Sequence, residues 1–268
     1  MDRVERKRIG LALSGGVARG PAHLGVLAVL ERAGIPIDCV AGTSAGAVVG
    51  ALYCAGVGVD RAMELLAHFG WGQIASPVWP SRGFVSFDKM ERWLTELIGD
   101  VHFDELQRPL AVAATDLKTG EAVVLREGRV ASAVHASSAV PGFVVPVEWE
   151  GRLLGDGGAS ENMPVAAARA LGAEVVIGVD LFPIAMRQGW GPFGFGFAAL
   201  ENLIRRSGGG LKDADCLIAP EVAGTSYLRF SQAMGMVALG ARATEAQLPA
   251  IRATIFGEVA AHSSANLR

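Results

Sequence analysis

Hydrophobic positions along the chain follow two alternating patterns. Short, almost wholly apolar runs at Ile9–Ser14, Cys39–Ala41, Leu110–Thr115, Val175–Val179 and Cys216–Ala219 read as strands buried on both faces. Between them lie stretches with helical spacing. Ala22, Val26, Leu27, Leu30 and Ala33 share one helix face, and Gly34 marks its end. Ser44 to about Cys54 reads as a helix of small residues. Asp60 is placed to cap a helix through about Phe69, and Asp88 with Glu91 forms a capping-box pattern for Lys89–Ile98. Val130–Ser138, Asn162–Leu171 and Ser231 to about Ile255 are further helices. Glu121–Leu125 is a shorter strand, and Val144–Trp149 with Arg152–Leu154 make a hairpin about Glu150-Gly151. Trp71–Phe87 reads as a loop, and Gly189–Phe197 as an irregular aromatic stretch before a helix near Ala198–Arg206.

Strands alternating with helices predict an α/β fold with a mostly parallel central sheet covered on both faces. Neither a long linker nor a repeat divides the chain. The expectation is one domain over residues 9–255, with tails at 1–8 and 256–268.

Composition narrows the possible partners. The chain has 268 residues, 51% of them hydrophobic, and a formal net charge of −3. No basic run follows the first eight residues, so a nucleic-acid partner is not expected. Arg3, Arg6, Lys7 and Arg8 are mixed with Asp2 and Glu5 and read as a solvated tail. Cys39, Cys54 and Cys216 form no C-x-x-C pair, which argues against a disulfide framework or a zinc site and fits a cytoplasmic protein. The uncharged stretch Ala45–Val59 falls short of the ~18 apolar residues of a membrane span. The apolar run Ile9–Leu13 is too short for a signal peptide.

Three stretches carry candidate chemistry. Gly42-Thr43-Ser44-Ala45-Gly46 is a G-x-S-x-G between a strand and a helix. That context makes Ser44 a candidate nucleophile: a strained turn lifts its hydroxyl clear of the sheet, and Gly42 and Gly46 leave it room. Ser14 to Gly20, also between a strand and a helix, presents backbone N–H groups to an anion, either a phosphate or an oxyanion. It fits neither a dinucleotide fingerprint, because Val17 replaces a required glycine, nor a P-loop, because Gly20-Pro21 ends it. Asp156-Gly157-Gly158 places a carboxylate where backbone can approach closely. Nucleophile, base and oxyanion site all fall at strand ends, where open α/β sheets hold ligands. Of His23, His68, His102, His135 and His262, only the last follows Asp156, and it lies in the tail. A Ser44–Asp156 dyad is therefore simpler than a triad. An aspartate base calls for a carboxyl raised above its usual ~3.9 by a partly apolar site.

At these residues the chain resembles the patatin-like phospholipase family, especially its small bacterial members. The resemblance is carried by LALSGGVARGPAHLGVL at 11–27, AGTSAGAVVGALYCAG at 41–56, PLAVAATDLKTGE at 109–121, ASSAVPGFVVPV at 136–147, GRLLGDGG at 151–158 and DADCLIAPEV at 213–222. It implies a three-layer α/β/α sandwich and hydrolysis of lipid acyl esters without metal or cofactor. It assigns the nucleophile to Ser44, the base to Asp156, the oxyanion hole to amides of Gly15, Gly16 and Val17, and support of that loop to Arg19. Val17 stands where the family has a third glycine. Either it keeps a negative φ or the oxyanion hole is altered.

The expected partner is a lipid or small ester, met by transient contact with a membrane surface. Trp190, Phe193, Phe195 and Phe197 form one candidate apolar rim, and Trp71 with Trp79 another, although isolated aromatics more often pack inside. A non-catalytic lipid-binding scaffold of the same fold is the alternative reading.

Overall fold

The computed structural model describes residues 6–182 and 191–257. β1 (Ile9–Leu13) leads into α1 (Pro21–Arg32), and β2 (Cys39–Thr43) into α2 (Ala45–Cys54). Next come α3 (Val59–Ala67), the single turn α4 (Trp71–Ile74), a small hairpin of β3 (Ser76–Pro77) and β4 (Val85–Ser86), and α5 (Asp88–Ile98). β5 (Leu110–Asp116), β6 (Ala122–Leu125), α6 (Val130–Ser138), β7 (Val147–Trp149) and β8 (Arg152–Asp156) follow. α7 (Val165–Ala170), β9 (Val175–Val179), α8 (Gly191–Arg206), α9 (Gly210–Asp213), β10 (Cys216–Ile218) and α10 (Ala233–Phe256) complete the described order.

The main sheet runs β10-β9-β1-β2-β5-β8-β7, with β6 also on β5. The first five of these strands are parallel, while β6 and β8 run antiparallel to β5. β1, β2, β5 and β9 are buried throughout, which explains their unbroken apolar runs. One face of the sheet packs against α1, α2, α3, α5, α6 and α10, and the other against α7 and the α9 region. This is the mostly parallel, helix-flanked sheet that the sequence predicts. α1 and α10 cross backbone to backbone. A Cβ at Gly25 would strike Val237 O, and one at Gly240 would strike Ala22 O, so the crossing requires glycine at both positions.

Several local expectations change. Residues 6–8, read as tail, are held in place: Arg6 pairs with Asp38 at 2.6 Å, and the Arg8 N–H donates to the Glu174 carboxylate at 2.8 Å. Gly58, not Asp60, occupies the cap position of α3. Asp88 and Glu91 make no capping box. The Asp88 N–H donates to Ser86 Oγ at 3.1 Å, while Glu91 turns to Ser132, Arg129 and His135. α7 starts at Val165 rather than Asn162, because the Asn162 side chain is engaged at the glycine loop.

The stretch 71–87 holds a helical turn and a hairpin instead of a loop. α8 begins at Gly191, well before Ala198. Pro192 is tolerated in its first turn, and Arg205 near its end is fixed by buried Asp180 at 2.6 Å. Of the first aromatic rim, Trp190 lies outside the described residues and Phe195 is exposed.

Candidate active site

β1 and β2 lie side by side with Leu13 opposite Gly42, so the loops leaving their C-terminal ends meet. The contact is close. A Cβ at Gly46 would strike Leu13 O, and a Cβ at Gly42 would stand 2.6 Å from Gly46 O. Both glycines of the G-x-S-x-G are therefore demanded by backbone packing. Between them Ser44 takes φ 52 and ψ −118, a conformation costly to any residue with a side chain. Its N–H donates to Ser137 Oγ at 2.7 Å, and Ser137 Oγ in turn donates to Ala113 O at 2.6 Å. The strained turn is thus pinned from α6 to β5.

Asp156 ends β8 next to the same turn. A Cβ at Gly157 would strike Ala113 O and stand 3.0 Å from Thr43 Cγ2, so the chain there passes directly beside the residue preceding Ser44. The Asp156 carboxyl accepts the Gly158 N–H at 2.8 Å and is hydrogen-bonded by Ser44. It keeps some solvent contact but is enclosed by protein. Desolvation raises its pKa to about 6, against the lowering effect of the Gly158 and Ser44 hydrogen bonds. The sequence argument asked for this upward shift.

The glycine loop closes the third side. A Cβ at Gly15 would stand 3.5 Å from Ser44 Cβ. The Gly15 N–H is already donated to Asn162 Oδ1 at 3.2 Å, whereas no hydrogen bond uses the amides of Gly16 and Val17 among the described residues. Val17 does not keep a negative φ; it adopts φ 50 and so follows the glycine-like path despite its branched side chain. Asn162 itself is buried, and its Nδ2 has no partner.

Arg19 is fully buried. Its Nε donates to Thr225 Oγ1 at 3.1 Å, and its guanidinium also reaches Leu181 O at 3.2 Å and Thr225 O at 3.0 Å. Its guanidinium carbon lies 3.5 Å from the Tyr227 ring centre, while the Ala18 N–H donates to Tyr227 O at 3.1 Å. Sequence reasoning missed Thr225, Tyr227 and Ser137. The only hint was that Ser137 falls within the 136–147 block.

The buried histidines are occupied elsewhere. His23 Nε2 meets Ser14 O at 2.9 Å, and burial pushes its pKa down to about 4. His135 Nδ1 pairs with Glu91 at 3.0 Å. Glu91 is held down at about 2, chiefly by the hydrogen bond to His135.

A serine elbow, a raised aspartate and a glycine loop thus meet where β1, β2 and β8 end. The model of patatin-like phospholipases matches residues 11–169. The chain belongs to the patatin-like phospholipase family. Lysophospholipase NTE1 of Coccidioides immitis is 35% identical over 205 residues, covering 73% of this chain and 13% of that protein. An uncharacterized NTE family protein of Mycobacterium bovis is 34% identical over 181 residues, covering 65% of this chain and 49% of that protein. The chain thus spans half or less of the length of these patatin-like relatives. Among solved structures, VipD from Legionella pneumophila aligns with a TM-score of 0.54 at 14% identity, covering 92% of this chain and 67% of that one. ExoU in complex with SpcU from Pseudomonas aeruginosa aligns with a TM-score of 0.53 at 17% identity, covering 94% of this chain and 52% of that one. At these identities the likeness concerns the patatin-like fold alone.

Proposed function

We propose that this patatin-like chain is a serine acyl hydrolase that cleaves lipid esters through a Ser44–Asp156 dyad. The observation that carries the reading is the pairing of a strained, elbow-borne Ser44 with a carboxyl whose pKa of about 6 lets it act as a base near neutral pH. Asp156 accepts the Ser44 proton as Ser44 Oγ attacks the ester carbonyl. The Gly16 and Val17 amides are free to stabilise the oxyanion, and Arg19, tied to Thr225, Leu181 and Tyr227, supports their loop. Asp156 then protonates the leaving alcohol. It next deprotonates the water that releases the fatty acid from the acyl-enzyme.

The lysophospholipase name of the Coccidioides relative supports a lipid substrate, with a single-chain phospholipid as the first to try. Three free cysteines support a reducing, cytoplasmic setting, with the substrate met at a membrane surface. Among the described residues no helix is long and apolar enough to cross a membrane.

The test is fluorophosphonate labelling with the modified peptide located by mass spectrometry. Labelling at Ser44 that disappears in Asp156→Asn is expected. Absence of labelling, with or without lipid, overturns the hydrolase reading in favour of a lipid-binding scaffold.

A further inference from the structure

Three segments beside the site share an unusual composition. Across residues 70–87, 139–147 and 222–232 the only charged residues are Arg82 and Arg229, in a chain that is 19% charged overall. The segments are joined to one another. The Phe84 N–H donates to Phe143 O at 2.8 Å and Trp71 Nε1 to Leu228 O at 3.0 Å, while within the first segment the Val78 N–H donates to Phe84 O at 3.1 Å. Two of them are also joined to the site, since Ala139 O accepts the Asp156 N–H at 2.8 Å and Tyr227 O accepts the Ala18 N–H.

On the solvent side these segments expose Trp79 at 88%, Leu228 at 60%, Phe84 at 59% and Phe143 at 41%. A tryptophan almost entirely in water at the tip of a hairpin, next to further exposed apolar groups, is what an interaction surface leaves uncovered. Trp71, by contrast, packs edge-on against Phe143 at 5.9 Å and Phe230 at 5.3 Å and belongs to the base of this surface.

We propose that Trp79, Phe84, Phe143 and Leu228 dock the protein onto a phospholipid bilayer, with Arg82 and Arg229 facing lipid phosphates. The charge pattern selects this occupant. The surface is apolar with two cations and no anion, although the whole chain is net negative. Arg82 meets Glu148 just outside the segments at 3.1 Å, an exposed pair that a phosphate can replace. Arg229 is exposed and makes no ion pair among the described residues. Tryptophan and arginine suit the headgroup layer, where an apolar body and a polar edge are both satisfied. The proposal rests on the lipid-ester reading, because docking here holds the Ser44 mouth against its substrate.

The test is sedimentation of the whole protein with vesicles of equal parts phosphatidylcholine and phosphatidylglycerol, and with pure phosphatidylcholine vesicles. Trp79→Ser with Phe84→Ser is expected to lower partition into both by about tenfold or more. Arg82→Ala with Arg229→Ala is expected to lower it mainly for the phosphatidylglycerol vesicles. Hydrolysis of a soluble short-chain ester stays unchanged in both variants. Trp79→Ser alone removes no packed group and gives the same direction should the double variant fold poorly.

Wild-type protein that ignores vesicles, or aromatic variants that bind as well as wild type, overturn the proposal, and the face then belongs to a protein partner. Vesicle binding that falls as expected in a protein that hydrolyses no ester sustains the docking surface and overturns the hydrolase reading instead.

Discussion

Ser137 Oγ accepts the Ser44 N–H at 2.7 Å and donates its own hydrogen bond to Ala113 O at 2.6 Å. The hydroxyl therefore spends donor and acceptor capacity on holding one strained turn, so Ser137 is a positioning residue. Ser137→Ala leaves the buried Ser44 N–H unpaired. The expected outcome is a fall in kcat of up to about a hundredfold with KM little changed, and a loss of about 2 kcal/mol of stability. Steady-state kinetics and thermal melts measure both, and Ser137→Thr, which keeps the hydroxyl, recovers part of the rate.

Asn162 holds the glycine loop from the opposite side. Its Oδ1 takes the Gly15 N–H while its Nδ2 is left as an unpartnered buried donor beside that loop. Asn162→Asp keeps the acceptor but replaces that donor by negative charge beside the developing oxyanion. It is expected to lower kcat about a hundredfold or more, and further than Asn162→Ala does. Equal rates for the two variants would show that the amide donor contributes nothing.

The Asp156 carboxyl titrates at about 6 in the folded protein, above its ordinary value of 3.8. As the proposed base Asp156 works when deprotonated, so kcat/KM is expected to rise with pH and level off above about 6. Stability runs the other way. A raised folded-state pKa means that protonation favours the fold, a gain fully present below pH about 4 and lost as pH climbs through about 6. Asp156→Asn is thus expected to melt higher than wild type at pH 8, with the difference shrinking toward pH 4, while abolishing turnover. A rate that stays level from pH 8 down to 4 would exclude this carboxyl as the base.

Val17 at φ 50 carries a branched side chain in a conformation that costs roughly 1–2 kcal/mol. Val17→Gly removes that cost, less the greater freedom glycine brings to the unfolded chain. A small net gain, up to about 1 kcal/mol, is expected in denaturant melts, with activity at least as high as wild type. A net loss would mean that Val17 packing outweighs the strain.

The strands and the serine elbow were legible because each is a local signal. β1, β5 and β9 are continuous apolar runs, and Gly42 and Gly46 sit at fixed distances from Ser44. Asp156 was legible from its two glycines. What stayed hidden depends on contacts far apart in the chain. Thr225 and Tyr227 reach Arg19 from more than 200 positions away and lie in a stretch with no periodicity. Glu91 reads as a cap but is drawn to Ser132 and His135 on α6 and to Arg129 beside it, and these hydrogen bonds together outcompete a lone cap. β3 and β4 have two residues each, too few for an alternation to show. The early start of α8 is hidden by the glycines of Gly191–Phe197, and its far end is anchored by Asp180 to Arg205.

The glycine crossing of α1 and α10 bears on how the chain matures as it leaves the ribosome. β1 needs β9 as its neighbour, and α1, which follows the glycine loop directly, needs Gly240 against Ala22. β1 and α1 are therefore locked by elements that lie about 165 and 215 positions further along the chain. About two hundred residues lie between Ser44 and Gly240, so the loop opposite Ser44 gains firm footing only once that span has been made. A chain that stops short of α10 thus carries Ser44 without a settled partner loop, and the proposed site is completed in one late step.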